Sequence, residues 1–167
     1  QREKGLARIA KLASNENPLG ASPLAQQAIQ EALKNLHRYP DASSADLKHA
    51  ISKRLEIPPE NICVGSGSDE IIQYLGITLL QPGDETVAGT PGFLRYTVST
   101  LLGGGVIKEI PLKDDGTHDL ERMREAITEK TRIIWIANPH NPTGSAIFSR
   151  ELENFLKALP EGVTVVL

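Results

Sequence analysis

Short apolar runs recur along this chain, and each is followed by a turn and then by a stretch with helical spacing. Residues 61–64, 85–88, 106–110, 132–137 and 163–167 read as strands. Residues 68–80 and 94–102 read as helices, as do a stretch with Leu120, Met123 and Ile127 on one face and another through Leu152, Phe155, Leu156 and Leu159. Strands separated by helices cannot pair as hairpins, so their sheet is mostly parallel and covered on both faces. The expected class is therefore α/β, a three-layer α/β/α arrangement. Two helices precede the alternation. Ser22-Pro23 reads as a cap and first helical residue, and a second helix starts near Ser43 or Ser44 and stops before Pro58-Pro59.

The 167 residues can bury one sizeable core. A net charge of -3 with no basic run argues against a nucleic-acid surface. No run has the length of a membrane span, so a cytoplasmic location is expected. The single cysteine, Cys63, precludes an internal disulfide and is expected to be a small buried side chain. The four histidines, His37, His49, His118 and His140, lack ligand spacing, and no metal site is expected.

Three segments sit where strands give way to helices. Gly65-Ser66-Gly67-Ser68-Asp69-Glu70 lets the backbone approach a ligand. The free amides of Ser68, Asp69 and Glu70, helped by the Ser66 and Ser68 hydroxyls, form an anion site suited to phosphate. It is neither a dinucleotide fingerprint nor a P-loop, and Ser68 could equally be a plain helix cap. Thr90-Pro91-Gly92-Phe93-Leu94-Arg95-Tyr96 carries two of only seven aromatic side chains (three Phe, three Tyr, one Trp); Phe93 and Tyr96 could meet a flat ring or simply fill the core. Asn138-Pro139-His140-Asn141-Pro142-Thr143-Gly144 must turn sharply, because each proline removes an N–H and disfavours helix before it. At the carboxyl end of a buried strand this turn would aim the Asn141 amide into a crevice.

With Ser14-Asn15-Glu16-Asn17-Pro18-Leu19-Gly20 and Arg38-Tyr39-Pro40-Asp41, these segments, in this order, resemble the fold-type I pyridoxal-phosphate-dependent aminotransferases, and most closely the histidinol-phosphate branch. The resemblance implies that the amides of Ser68, Asp69 and Glu70 hold the phosphate of pyridoxal 5'-phosphate, that Phe93 stacks on its ring and that Asn141 donates to the ring's phenolic oxygen. It implies a homodimer in which Tyr39 reaches the neighbouring subunit's cofactor, and places Asn17, Leu19, Gly20 and Tyr96 on the substrate side. Substrates would be a small amino donor, such as histidinol phosphate, and a 2-oxo acid, such as 2-oxoglutarate.

Residues 1–40 would be an amino-terminal arm with the first helix, and 41–167 part of the large cofactor-binding domain. The family's Asp-x-x-Tyr segment, its Ser-x-x-Lys motif with the Schiff-base lysine, and its small carboxyl-terminal domain have no counterpart in these residues. The chain is thus expected to be the amino-terminal part of a longer enzyme, without a catalytic residue of its own. Aromatic aminotransferase and threonine-phosphate decarboxylase activities share these loops. A non-catalytic phosphate-binding module and a purely structural fragment are the readings outside the enzyme class.

Overall fold

The computed structural model describes Gly5 and residues 14–167. The rest of the first thirteen residues, the start of the expected arm, lies outside them. The chain divides into two compact units, residues 1–45 and 46–167.

In the first unit, helix α1 (Pro23–Ala32) starts as its sequence dictates. The Ser22 hydroxyl accepts from the Ala25 amide at 3.1 Å, and Pro23 occupies the first turn, where its missing N–H costs nothing. A single 3₁₀ turn, Leu33–Asn35, follows. The apolar side chains Leu24, Ile29, Leu33 and Leu36 are all exposed.

The second unit carries the sheet. Helix α2 (Ala45–Leu55) leads through a 3₁₀ turn, Pro59–Asn61, to α3 (Gly67–Leu79). Strand β1 (Glu85–Thr90), helix α4 (Leu94–Leu102), β2 (Val106–Pro111), α5 (Leu120–Glu125), β3 (Thr131–Trp135), α6 (Ser149–Lys157) and β4 (Thr164–Val166) then alternate. All pairings are parallel and the spatial order is β2-β1-β3-β4.

Side chains alternate across the sheet and define three layers. Val87 and Ile134 face one way, into a core with Leu120 and Met123 of α5 and Phe155 of α6. Ala88, Ile133 and Trp135 face the other way, against Ile72 of α3 and the α4 side chain Tyr96. The α/β/α expectation holds.

Two expectations fail together. Residues 61–64 form no strand: Ile62 is extended (φ -111°, ψ 118°), but no described strand pairs with this stretch. Propensity extends a backbone, whereas a ladder needs a partner. Without a sheet on either side Cys63 is exposed, where burial was expected. Ile127 falls just beyond α5 yet still packs against the core.

Helices α3 and α4 pack closely because small residues line their contact. A Cβ on Gly76 would stand 2.9 Å from the Ser99 carbonyl carbon, and the Ser99 hydroxyl donates to the Ile72 carbonyl at 2.6 Å. At the amino end of the sheet, Glu85 Oε2 accepts from Lys108 Nζ at 2.7 Å and from Thr128 Oγ1 at 2.5 Å. These bonds, Lys108 first and Thr128 second, hold the Glu85 carboxyl below its usual range.

Two outcomes follow. Gly76→Ala should lower stability by about 1–3 kcal/mol, because the Ser99 hydroxyl and, with it, the Ser99 backbone carbonyl stand in the way. The sign is opposite to the gain of about 1 kcal/mol expected at an exposed helical glycine, and urea melts decide it. Glu85→Gln should cost about 1 kcal/mol at neutral pH. Because the folded Glu85 pKa is depressed, its contribution is complete above the unfolded value of about 4.3 and disappears as pH falls through the folded value. Melts of the two proteins should therefore converge in acid; a constant difference across pH would assign the loss to packing instead.

Candidate functional site

Strand order fixes where a ligand can enter. From β1 the chain crosses through α4 to β2 on one side; from β2 it returns through α5, on the opposite face, past β1 to β3. The order reverses between β1 and β3, so a crevice opens at their carboxyl ends, where open parallel sheets bind ligands. The loop 91–93 leaves β1 there, and the loop 136–145 leaves β3 beside it.

The first turn of α3 belongs to the same end. Asp69 Oδ2 lies 3.2 Å from Nε of Arg95, in the first turn of α4, which begins directly after β1. Ser66 is the cap residue, two positions earlier than the plain-cap reading of Ser68, and its side chain makes no cap hydrogen bond. Glu70 reaches back instead, its Oε2 accepting the Ser66 amide at 2.5 Å. This bond, and next a bond from the Tyr74 hydroxyl, lowers the Glu70 pKa. With Ser66 as the cap, the amides of Ser68 and Asp69 have no preceding helical carbonyl to bond and carry the positive end of the α3 dipole, whereas the Glu70 amide, expected to be free, stands one turn after the Ser66 carbonyl and is part of the helix ladder.

Room for an anion exists at this turn. Gly67 has φ +78°, a left-handed conformation that favours glycine, and no heavy atom lies within 4 Å of where its Cβ would be. The Ser68 and Asp69 side chains are exposed. A phosphate group fits this donor set of backbone amides and a hydroxyl.

Phe93 and Tyr96 meet edge to face with ring centroids 5.7 Å apart, and Tyr96 stacks on Trp135 at 5.2 Å with 9° between planes. Both are half-buried, so they serve the core and still border the crevice. Burial raises the Tyr96 pKa. Phe93 also lines a cavity of about 240 Å³ with Gly89, Tyr96, Ile107 and Glu109.

The 136–145 loop is held at both ends. Asn138 clamps its base, donating from Nδ2 to the Ile147 carbonyl at 3.0 Å and accepting the Ile147 amide on Oδ1 at 2.9 Å. Further on, the His140 amide donates to the Ser145 carbonyl and the Gly144 amide to the His140 carbonyl, both at 2.7 Å. Asn141 stands exposed between these ties, and its side chain has no hydrogen bond among the described residues. The sequence offered no clue to the Asn138 clamp. His118 and His140, passed over for want of ligand spacing, are both buried beside this loop.

Asn17, Leu19, Gly20 and Tyr39 lie in the amino-terminal unit. Asn17 closes its own turn, donating to the Gly20 carbonyl at 3.1 Å and accepting the Leu19 amide at 3.0 Å. Leu19 and Tyr39 are fully exposed. Among the described residues no group of three or more His, Cys, Asp or Glu could hold a metal, and no helix is long and apolar enough to cross a membrane.

Comparison with known proteins agrees with this geometry. The model of the aminotransferase class I and II family matches residues 7–167. A histidinol-phosphate aminotransferase from Caldicellulosiruptor saccharolyticus is 46% identical over the whole chain, which covers 46% of that protein. The chain thus spans about half the length of the curated relatives it matches. Among solved structures, histidinol-phosphate aminotransferase from Sinorhizobium meliloti, in complex with pyridoxal-5'-phosphate, superposes with a TM-score of 0.84 at 29% identity, over 91% of this chain and 41% of that one. A single mutant of aspartate aminotransferase from Thermus thermophilus, at 24% identity, shares the fold with a TM-score of 0.87 over 98% of this chain and 46% of that one. With the match running from residue 7 to 167 and the same sheet beneath it, this chain belongs to the aminotransferase class I and II family.

Proposed function

We propose that this chain builds the phosphate-holding part of a pyridoxal-phosphate site, and that the full-length protein transfers an amino group from histidinol phosphate to a 2-oxo acid such as 2-oxoglutarate. The observation that carries the reading is the meeting of three features at the β1/β3 crevice: the open first turn of α3, the Phe93 ring and the Asn141 loop. The histidinol-phosphate branch is favoured by relatives of that name at 41–46% identity.

Each residue has a role suited to its chemistry. The amides of Ser68 and Asp69 hold the phosphate without a side-chain cation. Phe93 offers a π face to the pyridine ring. Asn141 donates to the phenolic oxygen, and Asn17, Leu19, Gly20 and Tyr96 border the substrate. When bound, pyridoxal phosphate supplies an electron sink for the amino-bearing carbon of the substrate. The protein's share is to orient the ring and exclude water. Tyr39 of the partner subunit completes the phosphate site in a cytoplasmic homodimer; the exposed Tyr39 and the exposed apolar face of α1 support that assembly.

The test separates phosphate binding from folding. Ser68→Asp places a carboxylate at the start of α3, where the helix dipole tolerates or favours it. The melting temperature should hold or rise, while affinity for pyridoxine 5'-phosphate should fall about tenfold or more through charge repulsion. Unchanged affinity would remove the α3 turn from the site. No lysine in the chain matches the family's Ser-x-x-Lys motif, so the purified 167-residue chain should catalyse no transamination; measurable turnover by it would overturn that assignment.

A further inference from the structure

His118 and His140 are buried, titratable and unused by the reading above. His118 follows the turn 113–117 and lies against β1 and the end of β3. Its Nε2 is 3.2 Å from the Ala137 carbonyl, one residue before the Asn138 clamp. A carbonyl only accepts, so Nε2 carries the proton. Nδ1 faces Gly89, where an added Cβ would come within 2.5 Å of it, and it has no partner. A second proton on Nδ1 would bury both a charge and an unpaired donor.

The proton on His140 follows from the same accounting. Its Nδ1 lies 2.9 Å from Thr143 Oγ1, and that oxygen lies 2.9 Å from both the Gly116 carbonyl and Ser145 Oγ. A carbonyl only accepts, so with the Thr143 proton on Gly116 the threonine oxygen accepts from His140, and Nδ1 of His140 carries a proton. The Ser145 hydroxyl donates to the same Gly116 carbonyl at 2.6 Å. The two imidazoles meet edge to face at 4.6 Å. Burial lowers both pKa values, and the nearness of His140 lowers that of His118 further. Of the charged groups on the adjoining turn, Asp115 accepts from Thr117, Lys113 approaches Glu151 and Asp114 is exposed to solvent, while Asp119 caps α5.

We propose that His118 and His140 are positioning residues that fix the 138–145 loop, and with it the Asn141 amide, through hydrogen bonds requiring a proton on Nε2 of His118 and on Nδ1 of His140. The inference rests on Asn141 being the amide that meets the cofactor ring. The hydrogen bonds of the pair land on Ala137 and Thr143 of the loop that carries Asn141, and Thr143 in turn bonds the Gly116 turn that braces it. Asn141 itself is held by its backbone neighbours and left open at its tip.

The experiment uses the full 167-residue chain labelled with ¹⁵N. Long-range proton–nitrogen correlations should report the Nε2–H form of His118 and the Nδ1–H form of His140 at neutral pH. Thr143 is exposed, so Thr143→Val should fold while removing the acceptor of His140 and the donor to Gly116. Its Asn141 side-chain amide signals should shift or broaden while β1 and β3 signals stay in place. Thr143→Ser, which restores the hydroxyl, should return them. His118→Phe should displace the same signals. Opposite tautomers, or Asn141 signals indifferent to Thr143→Val, would overturn the proposal. Binding on the same samples tests the reading beneath it. Pyridoxine 5'-phosphate, which lacks the aldehyde that reacts with surface lysines, should lose about three- to tenfold affinity in Thr143→Val, as for one lost hydrogen bond. Inorganic phosphate should bind as before. Movement of Asn141 with unchanged pyridoxine phosphate affinity would uphold the clamp and remove Asn141 from the ring's contacts.

Discussion

The pairing of β1 with β3 is the contact on which the rest depends. Thr86 faces Ile133, Val87 faces Ile134 and Ala88 faces Trp135, in parallel register, and these six side chains are all buried. Neither strand could stand at an edge: each presents an apolar side chain to both helical layers. Since the strands are not consecutive, their union forces the chain to leave β1 in one direction and return in the other. The crevice at their carboxyl ends is thus a product of topology, before any polar residue is placed in it. The Phe93 loop, the Asn141 loop and, through the pair Arg95–Asp69, the first turn of α3 are then delivered to one end of the sheet.

What the sequence made legible was whatever depends on near neighbours. Leu94–Leu102 is helical over the expected residues because its apolar spacing and its flanking proline and glycines are local signals. Ser22-Pro23 starts α1 for the same reason. Residues 61–64 show the limit. Their apolar, β-branched composition extends the backbone, but pairing depends on a strand far away in sequence, and none is there among the described residues. Cys63 was misjudged by the same step, since its burial presumed a sheet around it.

The site divides along the same line. The glycine turn before α3 and the proline turn after β3 announce themselves, because a special backbone needs special residues. The histidine pair does not. His118 and His140 are 22 positions apart, and only the return of the chain past β1 brings their rings to 4.6 Å. Gly89 looks like one more strand residue until the ring of His118 is found in the space its missing Cβ leaves.

The polar groups at the crevice fall into two sets, and the division separates scaffold from site. Asp69 is matched by Arg95, Glu70 by the Ser66 amide and the Tyr74 hydroxyl, Asn138 by Ile147, and His140 by Thr143. These groups are committed within the chain. Two acidic side chains at an anion site would otherwise oppose a phosphate, and tying each to a donor removes much of that repulsion while leaving the helix dipole intact. The amides of Ser68 and Asp69, the Ser68 hydroxyl and the Asn141 side-chain amide stay uncommitted among the described residues, on exposed residues. The open set is a donor set, it contains no side-chain cation, and it surrounds a glycine with empty space where a Cβ would stand. Such an arrangement suits an anionic group held by backbone amides, which is the property that the proposed phosphate site requires.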